Sequence, residues 1–215
     1  MRPKSPRFPC GKGLPPLLLR GFCDTVSVVN DAPIGVFDSG LGGLTVARAI
    51  IDKLPAEDVV YLGDTAKTPY GSRPISEIRA LTLEGLDALV AQGVKMLVIA
   101  CNSATAAAVS DARERYSEGM GIPVIEVVTP AAREAAVTTR SGRIGVIGTE
   151  ATVASASYAT ALAAVPRVSV TQQACPRFVE FVERGETTGD EVAAVTREYL
   201  APLKEQNVDT VILGC

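Results

Sequence analysis

Two cysteines stand at the ends of apolar runs that resemble one another: Val94-Lys-Met-Leu-Val-Ile-Ala-Cys101 and Val208-Asp-Thr-Val-Ile-Leu-Gly-Cys215. A thiol can give up a proton as an acid or, once ionised, take one as a base. A free thiol ionises at a pKa of about 8.5, so it needs help to act as a base near neutrality. Cys101 runs straight into Asn102-Ser103 and an Ala-rich stretch expected to be helical. A helix N-terminus beside the sulfur is expected to lower its pKa. Read alone, a cysteine at a strand end is a small buried hydrophobe. The polar Cys-Asn-Ser context and the recurrence favour chemistry. Two like groups facing each other across a substrate, one thiolate and one thiol, suit a reaction that interconverts mirror images. One group removes the Cα proton from one face and the other returns a proton to the opposite face. Donors on the substrate carboxylate would stabilise the charge that builds there, and Asn102, Ser103 and backbone N–H groups are suited to that.

Other residues admit more than one reading. The chain has no histidine, which removes any Ser-His or Cys-His nucleophile pair. With no Cys-x-x-Cys either, a zinc site is not expected. Asp38-Ser-Gly-Leu-Gly-Gly43 could be a phosphate-binding turn. It lacks the third glycine of the dinucleotide fingerprint and the Gly-Lys-Ser/Thr of a P-loop. Thr68-Pro-Tyr-Gly71 reads as a turn, or as a cleft-side loop in which Tyr70 offers an OH or N–H group to a ligand. Cys10, Cys23 and Cys175 read as structural, and Glu183 by default as a solvated carboxylate.

The elements that must position these groups alternate. Strands are expected at 34–37, 59–62, 96–100 and 124–127. Helices are expected at 44–54, 76–92 and 103–116, with Ser103 as the N-cap of the third. Strands that read as continuous apolar runs between helices imply a parallel sheet covered on both faces. The chain then repeats itself. Ile34-Gly-Val-Phe-Asp-Ser39 resembles Ile144-Gly-Val-Ile-Gly-Thr149, and the two cysteine runs follow in the same order at nearly the same offset. The fold expected is α/β: two pseudo-symmetric parallel-sheet domains, 33–128 and 129–215, with the active site in the cleft between them and the second domain incomplete. Ligands of open parallel sheets bind beyond the carboxyl ends of the strands. Asp38, Ser39, Cys101, Asn102, Thr149 and Cys215 all fall at that end.

Composition narrows the class. The chain has 215 residues, 47% hydrophobic and 21% charged, with a net charge of −3. That is ordinary for a soluble globular protein, and no basic face suggests nucleic acid as a partner. No apolar run reaches the roughly 18 residues of a membrane-spanning helix. Five scattered cysteines do not form a disulfide framework, so a reducing cytoplasm is expected. The first thirty residues differ: five prolines, five basic residues and one acid, Asp24. Without them the chain has 16 basic and 23 acidic residues, a net charge of −7. Residues 1–32 are expected to be a disordered arm or an artefact of start-site choice, with the native start near Val29.

Phe37-Asp-Ser-Gly-Leu-Gly-Gly-Leu-Thr45, Gly63-Asp64, Thr68-Pro-Tyr-Gly71, Ala100-Cys-Asn-Ser-Ala104, Ala174-Cys-Pro176 and Leu213-Gly-Cys215 together resemble the glutamate racemases, in that order and spacing, from about Pro33 to the end. The resemblance implies a cofactor-independent enzyme that supplies D-glutamate for bacterial peptidoglycan and so for the cell wall. Carried over by position, Cys101 and Cys215 match the catalytic acid/base pair. Asp38 and Ser39 match substrate contacts, Asp38 also lying near the first thiol. Tyr70 and Gly71 match a substrate-binding loop, and Asn102 and Ser103 the pair after the first cysteine, where the family often has Asn-Thr. Thr149 and Thr152 match a threonine pair, and Glu183 a carboxylate that assists the second cysteine. Glutamate is the implied partner, with no nucleic acid or membrane. A homodimer is entertained; the residues do not fix the oligomeric state. The alternatives are an aspartate racemase type and a nonenzymatic ligand-binding relative, some family members being said to bind DNA gyrase. The family continues past its second cysteine with Thr-His and further helices and strands. A terminal strand with no helix after it buries its faces poorly. The 215-residue form is therefore expected to be inactive or poorly folded, and full D/L-glutamate exchange measured on it would contradict this.

Overall fold

The structure, a computed structural model, describes residues 30–215. The expected arm up to residue 29, with Cys10 and Cys23, lies outside the described residues. Elements alternate throughout. The first part runs β1 (Ile34–Asp38), α1 (Leu44–Lys53), β2 (Val59–Gly63), α2 (Ile75–Val90), β3 (Met96–Ile99), α3 (Asn102–Ala112) and β4 (Val124–Glu126). The second runs α4 (Val128–Thr138), β5 (Arg143–Gly148), α5 (Glu150–Ala154), α6 (Ser157–Leu162), β6 (Ser169–Ala174), α7 (Pro176–Glu183), α8 (Asp190–Glu205) and β7 (Thr210–Gly214). The expected elements are all present, with ends that differ by one or two residues. The largest departure is the end of the third helix: from Arg113 to Glu118 it widens into a π-helix around the buried Tyr116.

The strands form two wholly parallel sheets, ordered β2-β1-β3-β4 and β6-β5-β7. The internal repeat is therefore a repeat of topology. β1 and β5 are each flanked by the strand that follows them and by the strand that leads to a cysteine. Register agrees as well: Phe37 pairs with Ile99 in the first sheet and Ile147 with Leu213 in the second. Cys101 and Cys215 each lie two residues beyond those partners, at equivalent positions.

Each sheet has its own apolar core. In the first, Phe37, Leu97 and Ile99 pack with Ile78, Leu86 and Leu89 of α2. On the opposite face Val36 and Val98 pack with Ala47 of α1. In the second, Ile144, Val146 and Ile212 pack with Val128, Ala132 and Ala135 of α4 and Tyr158 of α6. The expected boundary at Thr129-Pro130 thus falls in the first turn of α4. No helix among the described residues is long and apolar enough to cross a membrane.

Close packing makes some glycines obligatory. A Cβ on Gly85 of α2 would lie 2.2 Å from Cε2 of the buried Phe37. Alanine is the better helix former by about 1 kcal/mol, but overpacking a tight core costs about 1–3 kcal/mol. Gly85→Ala should therefore lower stability by about 1–2 kcal/mol in urea denaturation. A gain in stability would show that α2 does not rest on Phe37.

Candidate active site

Beyond the end of β1 the chain turns sharply, and glycines make the turn compact. A Cβ on Gly43 would lie 2.7 Å from Asp38 Cβ, and one on Gly63 would lie 2.1 Å from the Gly40 carbonyl oxygen. Asp38 is buried. Its Oδ2 accepts from the Gly40 N–H at 3.1 Å and from the Tyr61 hydroxyl at 3.3 Å, while Tyr61 also reaches the Gly40 carbonyl at 2.9 Å. The Asp38 carbonyl accepts the Asp64 N–H at 3.0 Å, and the Asp64 carboxylate in turn accepts the Tyr70 hydroxyl at 2.7 Å. Burial first, and then the neighbouring carboxylates, push both tyrosine pKa values up, so both phenols stay neutral donors. Tyr70 is buried against Phe37. Its hydroxyl is committed to Asp64, and its carbonyl accepts the Arg73 N–H at 3.0 Å.

Cys101 itself caps α3, its sulfur accepting the Ala104 N–H at 3.4 Å. Ser39 Oγ lies 3.2 Å from the same sulfur. The helix start pulls the thiol pKa down as expected, but the net shift is upward. Burial is the largest influence and pushes the thiol up, and the Asp38 charge adds to it. The hydrogen bonds from Ser39 and Ala104 pull downward and are outweighed. A few N–H dipoles do not compensate the loss of water around a charged sulfur.

Ser103 lies inside the first turn of α3 and is not its cap. It is buried, and its Oγ sits 2.9 Å from Thr149 Oγ1. Thr149 caps α5 by accepting the Thr152 N–H at 3.2 Å, and its Oγ1 lies 3.1 Å from Thr152 Oγ1. Three buried hydroxyls thus join the two halves of the fold. Beside them the Gly71 carbonyl accepts the Ala151 N–H at 3.0 Å. A Cβ on Gly71 would lie 2.5 Å from Thr149 Cγ2, so the 68–71 loop seats only with glycine there. A further link joins Tyr158, whose hydroxyl donates to Asn102 Oδ1 at 2.6 Å.

Cys215 follows β7 directly. The residue is exposed, yet partial loss of water around its thiol pushes the pKa up to about 11. The charges of Cys101 and Asp38 add to the rise, so the two sulfurs and Asp38 are close enough to feel one another. Asp38, Ser39, Tyr70, Gly71, Asn102, Ser103, Thr149 and Thr152 are linked around them by the contacts above. Glu183 is not. It ends α7 on the exposed side, opposite the buried Phe181, and its carboxylate makes no hydrogen bond or ion pair among the described residues. Sequence reasoning missed Tyr61 and Tyr158, and quoted Asp64 without giving it a role. Tyr61 and Tyr158 act through partners distant in sequence, and Asp64 through the Tyr70 hydroxyl and the Asp38 carbonyl.

Residues 34–215 match the family model described as Asp/Glu/Hydantoin racemase. The chain is 62% identical over 187 residues to the glutamate racemase of Beutenbergia cavernae, a match covering 87% of this chain and 64% of the relative. It therefore spans a little under two thirds of that relative's length. Among solved structures, glutamate racemase isoform RacE1 from Bacillus anthracis superposes with a TM-score of 0.79 at 41% identity, over 86% of this chain and 68% of that one. The glutamate racemase of Francisella tularensis, solved in complex with D-glutamate, superposes equally well at 36% identity, over 86% of this chain and 68% of its own.

The direction of both thiol shifts has a measurable consequence. A raised pKa means less thiolate at neutral pH, and only the thiolate alkylates. Iodoacetamide should label Cys101 and Cys215 more slowly at pH 7.5 than a free thiol of pKa about 8.5. The Cys215 rate should go on climbing toward about pH 11. Peptide-level mass spectrometry reads each site separately, and a rate for either that levels off below pH 8 would contradict the burial argument.

Proposed function

The chain belongs to the Asp/Glu/hydantoin racemase family, and from that premise we propose that it is a glutamate racemase working by Cα proton transfer between Cys101 and Cys215. The observation that carries this reading is the equivalence of the two sulfurs. Each stands two residues beyond the pairing partner of the central strand, in sheets of like order, and the charge of Cys101 acts on the Cys215 thiol.

In the proposed reaction the thiolate of one cysteine takes the Cα proton and becomes a thiol. The electron pair left on Cα is delocalised into the substrate carboxylate. The thiol of the other cysteine then protonates Cα from the opposite face and becomes the thiolate. The reverse direction exchanges the two roles. Both thiols are held neutral without substrate, so ionising one requires compensation. The substrate ammonium, drawn to Asp38, would supply a positive charge beside the sulfur that ionises. An opposite charge at that range favours the ionised form. The N–H groups at the start of α3 would stabilise the charge that develops on the carboxylate, and the Asn102 amide would hold that carboxylate equally in the bound substrate and in the transition state.

Glutamate as substrate is supported by the named relatives and by the D-glutamate held in the Francisella tularensis enzyme. The test is solvent deuterium incorporation at Cα of L-glutamate and of L-aspartate, on the chain continued past residue 215 to the length of its relatives. Glutamate should exchange and aspartate should not. Cys101→Ala should lower exchange by about 10²–10⁴-fold, the usual worth of a positioned acid/base group. Exchange of aspartate alone would assign the other substrate. Exchange of neither, or an unaffected Cys101→Ala variant, would end the reading.

A further inference from the structure

Tyr158 is buried at 1% exposure in the core of the second half, packed with Val146 and Ile212. It touches both cysteine segments. Its hydroxyl donates to Oδ1 of Asn102, the residue after Cys101, at 2.6 Å. Its ring edge borders Gly214, the residue before Cys215: a Cβ there would lie 3.2 Å from Tyr158 Cε2. The chain delivers the ring through a kink between α5 and α6, where Ala156 adopts a left-handed conformation with φ 52°. The Ser155 hydroxyl braces that kink, donating to the Thr152 carbonyl at 2.8 Å and accepting the Ser157 N–H at 3.2 Å.

An asparagine amide can present either of two ends, and a neighbour that donates or accepts decides which. A phenol that stays protonated donates to the oxygen, and the Oδ1 of Asn102 is taken in this way. Its Nδ2 has no hydrogen-bond partner among the described residues. Two N–H donors on the residue that follows Cys101 are thus left without a partner among the described residues. We infer that Tyr158 is a positioning residue that turns the Asn102 amide so that its N–H₂ end faces the α-carboxylate of the substrate. The inference rests on the racemase reading above and adds a residue that the motifs do not contain. The same ring lies against the strand end that bears Cys215, so carboxylate binding and the placing of the second sulfur share one side chain.

The test is Tyr158→Phe, which keeps the ring against Gly214 and removes the donor. In the chain continued to the length of its relatives, KM for L-glutamate should rise about tenfold while kcat stays within about twofold, the signature of lost uniform binding. In an Asn102→Ala background the same change should do nothing further, because its effect passes through that amide. An unchanged KM, or an equal rise in the Asn102→Ala background, would overturn the inference. A second measurement does not depend on turnover. The side-chain NH₂ resonances of Asn102, assigned by their loss in Asn102→Ala, should move in Tyr158→Phe without substrate, and resonances that stay in place would overturn it as well. If the parent protein neither binds nor exchanges glutamate, the racemase reading fails, while these resonances still decide whether Tyr158 orients Asn102.

Discussion

The buried hydroxyl chain Ser103–Thr149–Thr152 is the constraint on which the site depends. Each half of the fold builds its own apolar core, and apolar packing alone is non-directional. It would let one half slide against the other at little cost. Hydroxyls shut away from water do not allow that. A buried polar group left without a partner costs about 1–3 kcal/mol. Here each partner lies across or along the junction: Ser103 at 2.9 Å from Thr149, and Thr149 at 3.1 Å from Thr152. The bond from the Ala151 N–H to the Gly71 carbonyl fixes the same register from the backbone. Ala151, a residue of the second half, is itself buried in the first core. The seam is thus specific in direction although its bonds are individually modest.

That seam lies where α3 and α5 begin. Helix starts carry unpaired N–H groups, and the chain caps them with the groups at hand: the Cys101 sulfur for α3 and the Thr149 hydroxyl for α5. Capping by a sulfur has a consequence. It keeps the thiol inside, where loss of solvent outweighs the dipole and leaves the neutral form favoured. The resting site is therefore arranged around uncharged sulfurs and one buried carboxylate, Asp38. Such a site suits a ligand that brings a cation with it.

The alternation of elements and the repeat were legible in the residues. Ile34 and Ile144 lead matching strands, and the offsets of about 110 residues between them and between the cysteine runs became matching sheet orders and registers. Residues at strand ends were legible for the same reason, since a motif next to a strand needs no distant partner to be noticed. What was not legible depends on contacts between segments far apart. Tyr158 meets Asn102 across 56 positions and Tyr61 meets Asp38 across 23. A lone tyrosine in an apolar stretch looks like core until its hydroxyl's partner is known. Ser103 read as a cap because hydroxyls usually cap, but the strand ends at Ile99 and the cap falls two residues sooner, on Cys101. Glu183 followed from resemblance alone, and the solvated reading of its carboxylate describes its present surroundings better.

The two sulfurs are equivalent in topology but not in support. Cys101 is held from its own half by Ser39 and the Ala104 N–H. Cys215 sits at the end of an edge strand and is aligned with Cys101 through β5, the hydroxyl seam and the ring of Tyr158 beside Gly214. The proton relay proposed between them would tolerate little error in the separation of its two ends, since misplacement by about 1 Å can cost on the order of 10²-fold. Small changes along the seam should then weigh more on chemistry than on stability. The hydroxyls of Ser103 and Thr149 contribute to the fold as ordinary hydrogen bonds, and in the proposed reaction they would also set the distance over which a proton passes.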